Sequence, residues 1–166
     1  VKDHNGYIDV QSNIGEGTTF TLYFPATREE RTAPHRKKPI EEYIGKGESI
    51  LVVDDIAEQR DVASGLLRQL GYDVHVVASG EEAVEYLKNH QADVLVLDMI
   101  MDPGIDGLET YRKVLDINPK QKALLVSGFS ETDRVRKAQQ LGAGAYIKKP
   151  YVMEKIGLAI RAELNR

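Results

Sequence analysis

Val94-Leu95-Val96-Leu97-Asp98-Met99-Ile100-Met101-Asp102-Pro103-Gly104-Ile105-Asp106-Gly107 is the stretch on which the reading of the fold turns. Its consecutive apolar residues from Val94 to Leu97, preceded by Ala92-Asp93, predict a short strand buried on both faces, as in a parallel sheet with helices on either side. Asp98 then stands at the carboxyl end of that strand. A charge there is costly unless it is solvated or used, and open α/β sheets bind ligands in the crevice beyond the carboxyl ends of their strands. Asp98 is therefore the first candidate for a working residue.

The same arrangement recurs on both sides of this stretch. Upstream, Ser49-Ile50-Leu51-Val52-Val53 is a second apolar run and ends in Asp54-Asp55. Residues 57–70 follow with Val62, Ala63, Leu66, Leu67 and Leu70 at helical spacing, closed by Gly71 as a C′ glycine. A strand is expected over 73–77, and Ser79-Gly80-Glu81-Glu82 is a capping box opening a helix through Ala83, Val84 and Leu87. Downstream, Asp106-Gly107-Leu108-Glu109 caps a helix that stops before Pro119. Lys122-Ala123-Leu124-Leu125-Val126 is a fourth strand ending in Ser127-Gly128. A helix capped by Ser130 runs to Leu141, Ala145-Tyr146-Ile147 is a fifth strand ending in Lys148-Lys149-Pro150, and an amphipathic helix from Met153 completes the chain.

Alternating strands and helices imply the α/β class, with a doubly wound, five-stranded, all-parallel sheet and right-handed crossovers. In the order 2-1-3-4-5 the first and third strands flank the switch point, so Asp54-Asp55 and Asp98 face each other across the crevice. Three carboxylates that close cannot all ionise cheaply unless a cation neutralises them. Oxygen-only ligands with space for water and a phosphate suit Mg²⁺. Lys149 adds a cation and Ser127 a hydroxyl, which completes the parts needed to hold a phosphoryl group against a carboxylate nucleophile. Taken singly, the ordinary readings are the better ones, Asp54 as a helix cap, Lys149 as a surface lysine and Ser127 as a partner for backbone. Their joint placement at the ends of different strands favours a site.

At 166 residues and 42% apolar content the chain can bury one good core plus an appendage. The absence of Cys and of any long apolar run excludes disulfides, thiolate metal sites and a membrane span, and no signal peptide opens the chain, so a soluble, cytoplasmic protein is expected. A net charge of −4 argues against nucleic acid as a partner. Val1 is not an initiator Met, so the chain is expected to begin inside a longer polypeptide. Residues 7–12 and 19–24 alternate apolar and polar, predicting a β-hairpin across Asn13-Ile14-Gly15-Glu16-Gly17-Thr18 within an appendage over 1–25. A lone hairpin is marginal in water and needs a partner for its apolar face. Residues 26–47 lack sustained apolar periodicity and carry alternating charge with Pro34 and Pro39, which reads as a linker with a helical turn near Glu41-Glu42-Tyr43-Ile44.

Asp54-Asp55, Asp98, Ser127 and Lys149-Pro150, in this order and on these strands, resemble the receiver domain of two-component signalling proteins, a flavodoxin-like fold, over residues 48–166. His4-Asn5-Gly6-Tyr7-Ile8-Asp9-Val10-Gln11-Ser12, Gly15-Glu16-Gly17-Thr18-Thr19-Phe20 and Leu22-Tyr23-Phe24-Pro25 resemble the last glycine box and final strands of a histidine-kinase ATP-binding domain. The whole chain is thus similar to the C-terminal end of a hybrid sensor histidine kinase. The resemblance implies that Asp98 accepts a phosphoryl group from a phosphohistidine on a kinase or phosphotransfer domain. It further implies that Asp55, Asp98 and the Ile100 carbonyl hold Mg²⁺ with Asp54 assisting, that Lys149 pairs with Asp98 or its phosphate, and that Ser127 and Tyr146 switch with phosphorylation. Lys149-Pro150 would be cis. Of the two adjacent lysines, Lys149 matches the motif, and strand alternation points Lys148 the other way.

Gly15, Gly17 and Thr18 would be the remnant of a nucleotide site whose other parts are absent, so no ATP binding is expected. The loop after Asp98 is one residue longer than the common pattern, which loosens the expectation for Ile100. Tyr146 also fits a static aromatic on an edge strand. His4, His35, His75 and His90 lack a phosphodonor motif. Enzymatic activity is expected only as self-phosphorylation and dephosphorylation at Asp98. Two rival readings are a Mg²⁺-dependent aspartyl-phosphate phosphatase and a phosphate-independent interaction module. A homodimer through the receiver face or the hairpin is compatible with the sequence, no DNA-binding module is expected beyond the last helix, and no membrane contact is expected.

Overall fold

The computed structural model describes residues 1, 4–26, 38–128 and 133–166, which belong to two compact units. In the first, β1 (Tyr7–Asn13) and β2 (Gly17–Tyr23) form an antiparallel hairpin. The register pairs Ile8 with Leu22 and Val10 with Phe20, so one face is apolar, as the alternation predicts. The turn is tighter than the expected one. Asn13 O accepts the Glu16 amide at 3.1 Å, and Gly15 (φ 86°) and Gly17 (φ 104°) take the left-handed conformation that closes it. Thr18 falls in β2, where its hydroxyl meets that of Ser12 at 2.8 Å.

The second unit contains β3 (Ser49–Val53), α1 (Ala57–Gln69), β4 (Asp73–Val77), α2 (Gly80–Asn89) and β5 (Val94–Asp98). It continues through α3 (Gly107–Ile117), β6 (Lys122–Ser127), α4 (Asp133–Gln140), β7 (Tyr146–Lys148) and α5 (Met153–Leu164). Its sheet has the order β4-β3-β5-β6-β7 with every pair parallel, which is the 2-1-3-4-5 order expected from the sequence. Alternate residues of the central strands go to opposite faces. Leu51, Val53, Leu95 and Leu97 join α2, α3 and α4 residues such as Leu87, Tyr111 and Val135 in one core. Ile50, Val52, Val94 and Val96 join Leu67 of α1 and Ile156 and Ile160 of α5 in the other. The continuous apolar runs are therefore buried twice over. No helix among the described residues is long and apolar enough to cross a membrane.

The local stop and start signals act as their chemistry dictates. Gly71 takes φ 86° after α1, and the Tyr72 amide returns to Leu67 O at 3.2 Å. Ser79 Oγ accepts the Glu82 amide at 3.2 Å, while the Glu82 carboxylate takes the Ala78 amide at 2.8 Å, one residue before the cap itself. Asp106 Oδ1 caps α3 through the Glu109 amide at 2.9 Å. Ser130, the expected cap of α4, lies outside the described residues. The last strand is displaced by one residue from the expected 145–147, because Ser127 pairs with Lys148 and carries the ladder further.

Residues 38–47, expected as the end of the linker, pack on this second unit. A 3₁₀ turn spans Ile40–Glu42, the Gly45 amide donates to Leu70 O at 2.7 Å, and the Gly47 amide donates to Gly71 O at 3.0 Å. Tyr43 is the anchor: its ring lies against the core, and its carbonyl accepts the Tyr72 hydroxyl at 3.3 Å. One aromatic residue has no period to read, which is why the segment looks like a tether in the sequence. Its seat on α5 is Gly157, where an added Cβ would stand 2.8 Å from Tyr43 Cδ2 and 3.0 Å from Tyr43 O.

A helical glycine usually costs about 1 kcal/mol relative to alanine. Gly157→Ala is expected to lower the melting temperature despite that gain, because the methyl displaces Tyr43. Gly65→Ala in α1, where an added Cβ meets nothing within 4 Å, is expected to raise it. Thermal unfolding followed by circular dichroism compares the two directly.

Candidate functional site

Parallel strands end on one edge of the sheet, and here four of the five ends are polar. Asp98 closes β5, Asp54 and Asp55 follow β3, Ser127 closes β6, and Lys149 follows β7. The Lys149 amide donates to Ser127 O at 2.8 Å, which fixes the last of these against its neighbour. Lys148 is exposed and Lys149 is buried, as strand alternation requires. The peptide bond from Lys149 to Pro150 is cis, as expected; a second cis bond, Asp102-Pro103, was not anticipated.

Lys149 Nζ donates to Asp54 Oδ2 at 2.5 Å and to Asp98 Oδ2 at 2.7 Å. These three residues are only 2% (Asp54), 5% (Asp98) and 9% (Lys149) exposed. The second oxygens of the buried acids are held by backbone. Asp54 Oδ1 accepts the Ile56 amide at 3.0 Å, and Asp98 Oδ1 accepts the Ile100 amide at 3.2 Å. Asp55 differs. Its Oδ2 accepts the Asp102 amide at 3.4 Å, while its Oδ1 is buried and has no hydrogen-bond partner.

Ligand oxygens of Asp54, Asp55 and Asp98 all lie within 4.8 Å of one another. Three carboxylates against one ammonium leave negative charge uncompensated in a poorly solvated notch. Burial pushes the Asp98 carboxyl above its ordinary range, against the hydrogen bond and charge of Lys149, and the Asp54 charge adds to the rise. The orphaned Asp55 oxygen and the all-oxygen donor set fit a hard divalent cation such as Mg²⁺.

The other expected residues are near but less defined in role. Ser127 is buried, and Tyr146 is half-buried against the core shared by α2, α3 and α4. Ile100 projects its side chain outward, 44% exposed, and engages Asp98 through its amide. Gly15, Gly17 and Thr18 belong to the hairpin unit. Three contributors escaped sequence reasoning. Arg60 Nη1 donates to Asp54 O at 2.6 Å, a contact set by the first turns of α1. The Asp102 amide reaches Asp55 from the loop. The Tyr151 hydroxyl is pushed up to about 12 by burial and by the Asp54 and Asp98 charges, so it stays protonated beside the acids. Position next to Pro150 was the available signal for Tyr151; the backbone donors carry none.

Removing one partner from a buried charge cluster costs about 3–5 kcal/mol. Lys149→Met is expected to lose stability of that order in metal-free protein, and the double change with Asp98→Asn to recover part of it, as read by urea unfolding with chelator. The raised Asp98 pKa carries a sign. The folded state keeps that proton to higher pH than the unfolded state does, so ionisation removes stability as pH climbs from the usual carboxylate range through the folded value. Asp98→Asn should flatten this slope in the same metal-free experiment.

Comparison with known proteins agrees with the geometry. Residues 50–161 match the model of the response regulator receiver domain. The whole chain aligns at 27% identity over 175 positions with a sensor kinase, CckA, of Brucella abortus (strain 2308), of whose length it spans 18%. A CheY-like receiver domain protein from Methanospirillum hungatei JF-1 shares 26% identity at a TM-score of 0.67, covering 72% of this chain and 94% of that one. The receiver domain of the sensor histidine kinase PA1611 from Pseudomonas aeruginosa PAO1, which has magnesium coordinated in its active site cleft, matches in fold. Its identity is 23% and its TM-score 0.66, with 72% of this chain and 99% of that chain covered.

Proposed function

The chain belongs to the response regulator receiver domain family, and from that premise we propose that Asp98 is the phosphoacceptor of a phosphorelay, taking its phosphoryl group from a phosphohistidine in a Mg²⁺-dependent reaction. The observation that carries the reading is the division of labour among the acids. Asp54 and Asp98 share the Lys149 ammonium, while Asp55 keeps a buried oxygen without a partner. An acid used only for structure would have that oxygen satisfied.

In the transfer, an Asp98 carboxylate oxygen forms a bond to phosphorus as the bond from phosphorus to the donor's imidazole nitrogen breaks, and the imidazole leaves as a neutral base once protonated. Asp55, Asp98 and the Ile100 carbonyl would hold Mg²⁺ with Asp54 assisting, and the ion supplies charge neutralisation at the phosphoryl oxygens. Lys149 remains paired with the new acyl phosphate. Ser127 donates its hydroxyl to the phosphoryl group after reorienting, and Tyr146 changes rotamer with it, which biases two pre-existing states of the face around α4 and β7.

The donor has a way in. Ile56, Val62 and Val152 are exposed apolar residues at this edge, 44%, 60% and 66% exposed, beside a cavity of about 450 Å³ lined by Val62, Lys149, Pro150 and Tyr151. A phosphohistidine on a helical kinase or phosphotransfer domain suits such an apolar rim around a charged centre. We infer that the receiver follows a kinase core, with the hairpin of residues 7–23 as the last strands of an ATP-binding domain and a cytoplasmic site of action; the alignment of the whole chain with part of a sensor kinase supports that order.

Incubation with acetyl phosphate and Mg²⁺ is expected to add the mass of one phosphoryl group, and both Asp98→Asn and chelation of the metal to abolish the gain. Turnover of phosphate esters without lasting label would point to a phosphatase instead. A folded, Mg²⁺-binding protein that never gains mass would contradict the proposal.

A further inference from the structure

The segment from Met99 to Asp106 leaves the acidic notch and returns to it, and its far side is tied to a helix that takes no part in the site. Its ends are pinned together. The Gly107 amide faces Met99 O at 3.4 Å, and a Cβ at Gly107 would stand 2.3 Å from Asp98 O. Met101, 6% exposed, anchors the middle in the core. Between these points the backbone contacts two acids, one on each side. The Asp102 amide donates to Asp55 Oδ2, and the Ile105 amide donates to Glu81 Oε1 at 3.0 Å.

Glu81 is the second residue of α2 and is otherwise an exposed surface acid. The loop is shaped to reach it. Gly104 takes φ 117°, and a Cβ there would lie 2.8 Å from both Glu81 carboxylate oxygens, so only glycine lets the chain lie against that carboxylate. Gly80 does the same from the helix side, since its Cβ would fall 2.6 Å from Ile105 Cγ1. Hydrogen bonds from its own amide and from the Ile105 amide hold the Glu81 carboxyl below its ordinary range, so it is the charged form that grips the loop.

We propose that Glu81 is a positioning residue for the metal site: by accepting the Ile105 amide it holds the loop between β5 and α3, which keeps the Asp102 amide on Asp55. The inference rests on the proposed Mg²⁺ site. Asp55 has one oxygen oriented by that amide and the other buried without a partner. Freeing the loop releases the oriented oxygen, and the carboxylate then spreads over more rotamers before an ion can bind. Two effects oppose each other here, because an amide donor also withdraws charge from a ligand. The contact is long, at 3.4 Å, so both effects are modest; the amide withdraws only part of a charge, whereas its loss frees the whole carboxylate to rotate, and affinity falls.

The test uses the unsubstituted chain, Glu81→Ala and Glu81→Gln. Amide hydrogen exchange at Ile105 and Asp102 is measured by NMR without metal, the Mg²⁺ dissociation constant by calorimetry, and the rate of labelling by acetyl phosphate at saturating Mg²⁺. In Glu81→Ala both amides should exchange faster and the Mg²⁺ dissociation constant should rise about fivefold, the scale of one lost hydrogen bond. The rate at saturating Mg²⁺ should be unchanged. Glu81→Gln keeps an acceptor oxygen without the charge and should fall between the unsubstituted chain and Glu81→Ala. The assignment is overturned if Glu81→Ala binds Mg²⁺ as well as the unsubstituted chain, or if Glu81→Gln binds as weakly as Glu81→Ala. Failure of the unsubstituted chain to bind Mg²⁺ would overturn the reading of the site itself, and this assignment with it.

Discussion

One ammonium group shared between two buried carboxylates is the interaction on which this molecule is built. Lys149 bridges Asp54 and Asp98 in a place where each charge alone would be severely penalised, and Asp55 stands close enough to add a third negative charge. Attraction and repulsion over a few ångströms are of similar size in such a medium, so one cation cannot offset three anions. The notch is held short of neutrality. That deficit makes it receptive to a divalent ion.

The fold sustains this arrangement because the penalty is confined to one edge. Behind the notch, β3 and β5 bury apolar side chains on both faces, and two separate cores fix the strands in register. Parallel direction then sends every strand's last residue to the same end, and the switch between β3 and β5 opens a crevice there. Backbone amides of Ile56, Ile100 and Asp102 complete the setting without adding charge. The acids are oriented by main-chain amides that folding has already ordered, so no further side chain has to be immobilised to hold them.

Much of this was legible in the chain, and the reason is periodicity. Runs such as Val94 to Leu97 and Ile50 to Val53 are too short for buried helices and read as doubly covered strands, and their polar termini mark the candidate site. Alternation also separated Lys149 from Lys148. What the sequence concealed has no period. Tyr43 seats residues 38–47 at a glycine of α5 while backbone hydrogen bonds tie them to the end of α1, and the loop after Asp98 is governed by amides whose partners, Asp55 and Glu81, lie far away along the chain. The attachment of that loop to α2 was not visible, because one exposed glutamate in the first turn of a helix also reads as an ordinary partner of the helix dipole. The hairpin turn is shorter than composition suggests, by one residue at Asn13 and by two at Gly17-Thr18, because ladder pairing continues there.

A structure determined with Mg²⁺ and a tetrahedral phosphoryl mimic tests the central claim most directly. The account predicts the ion on Asp55 and Asp98, the mimic bonded to an Asp98 oxygen, and the Lys149 ammonium within hydrogen-bond distance of it. An ion bound elsewhere, or a mimic that leaves Asp98 untouched while the Lys149 bridge to Asp54 and Asp98 persists unaltered, would contradict it.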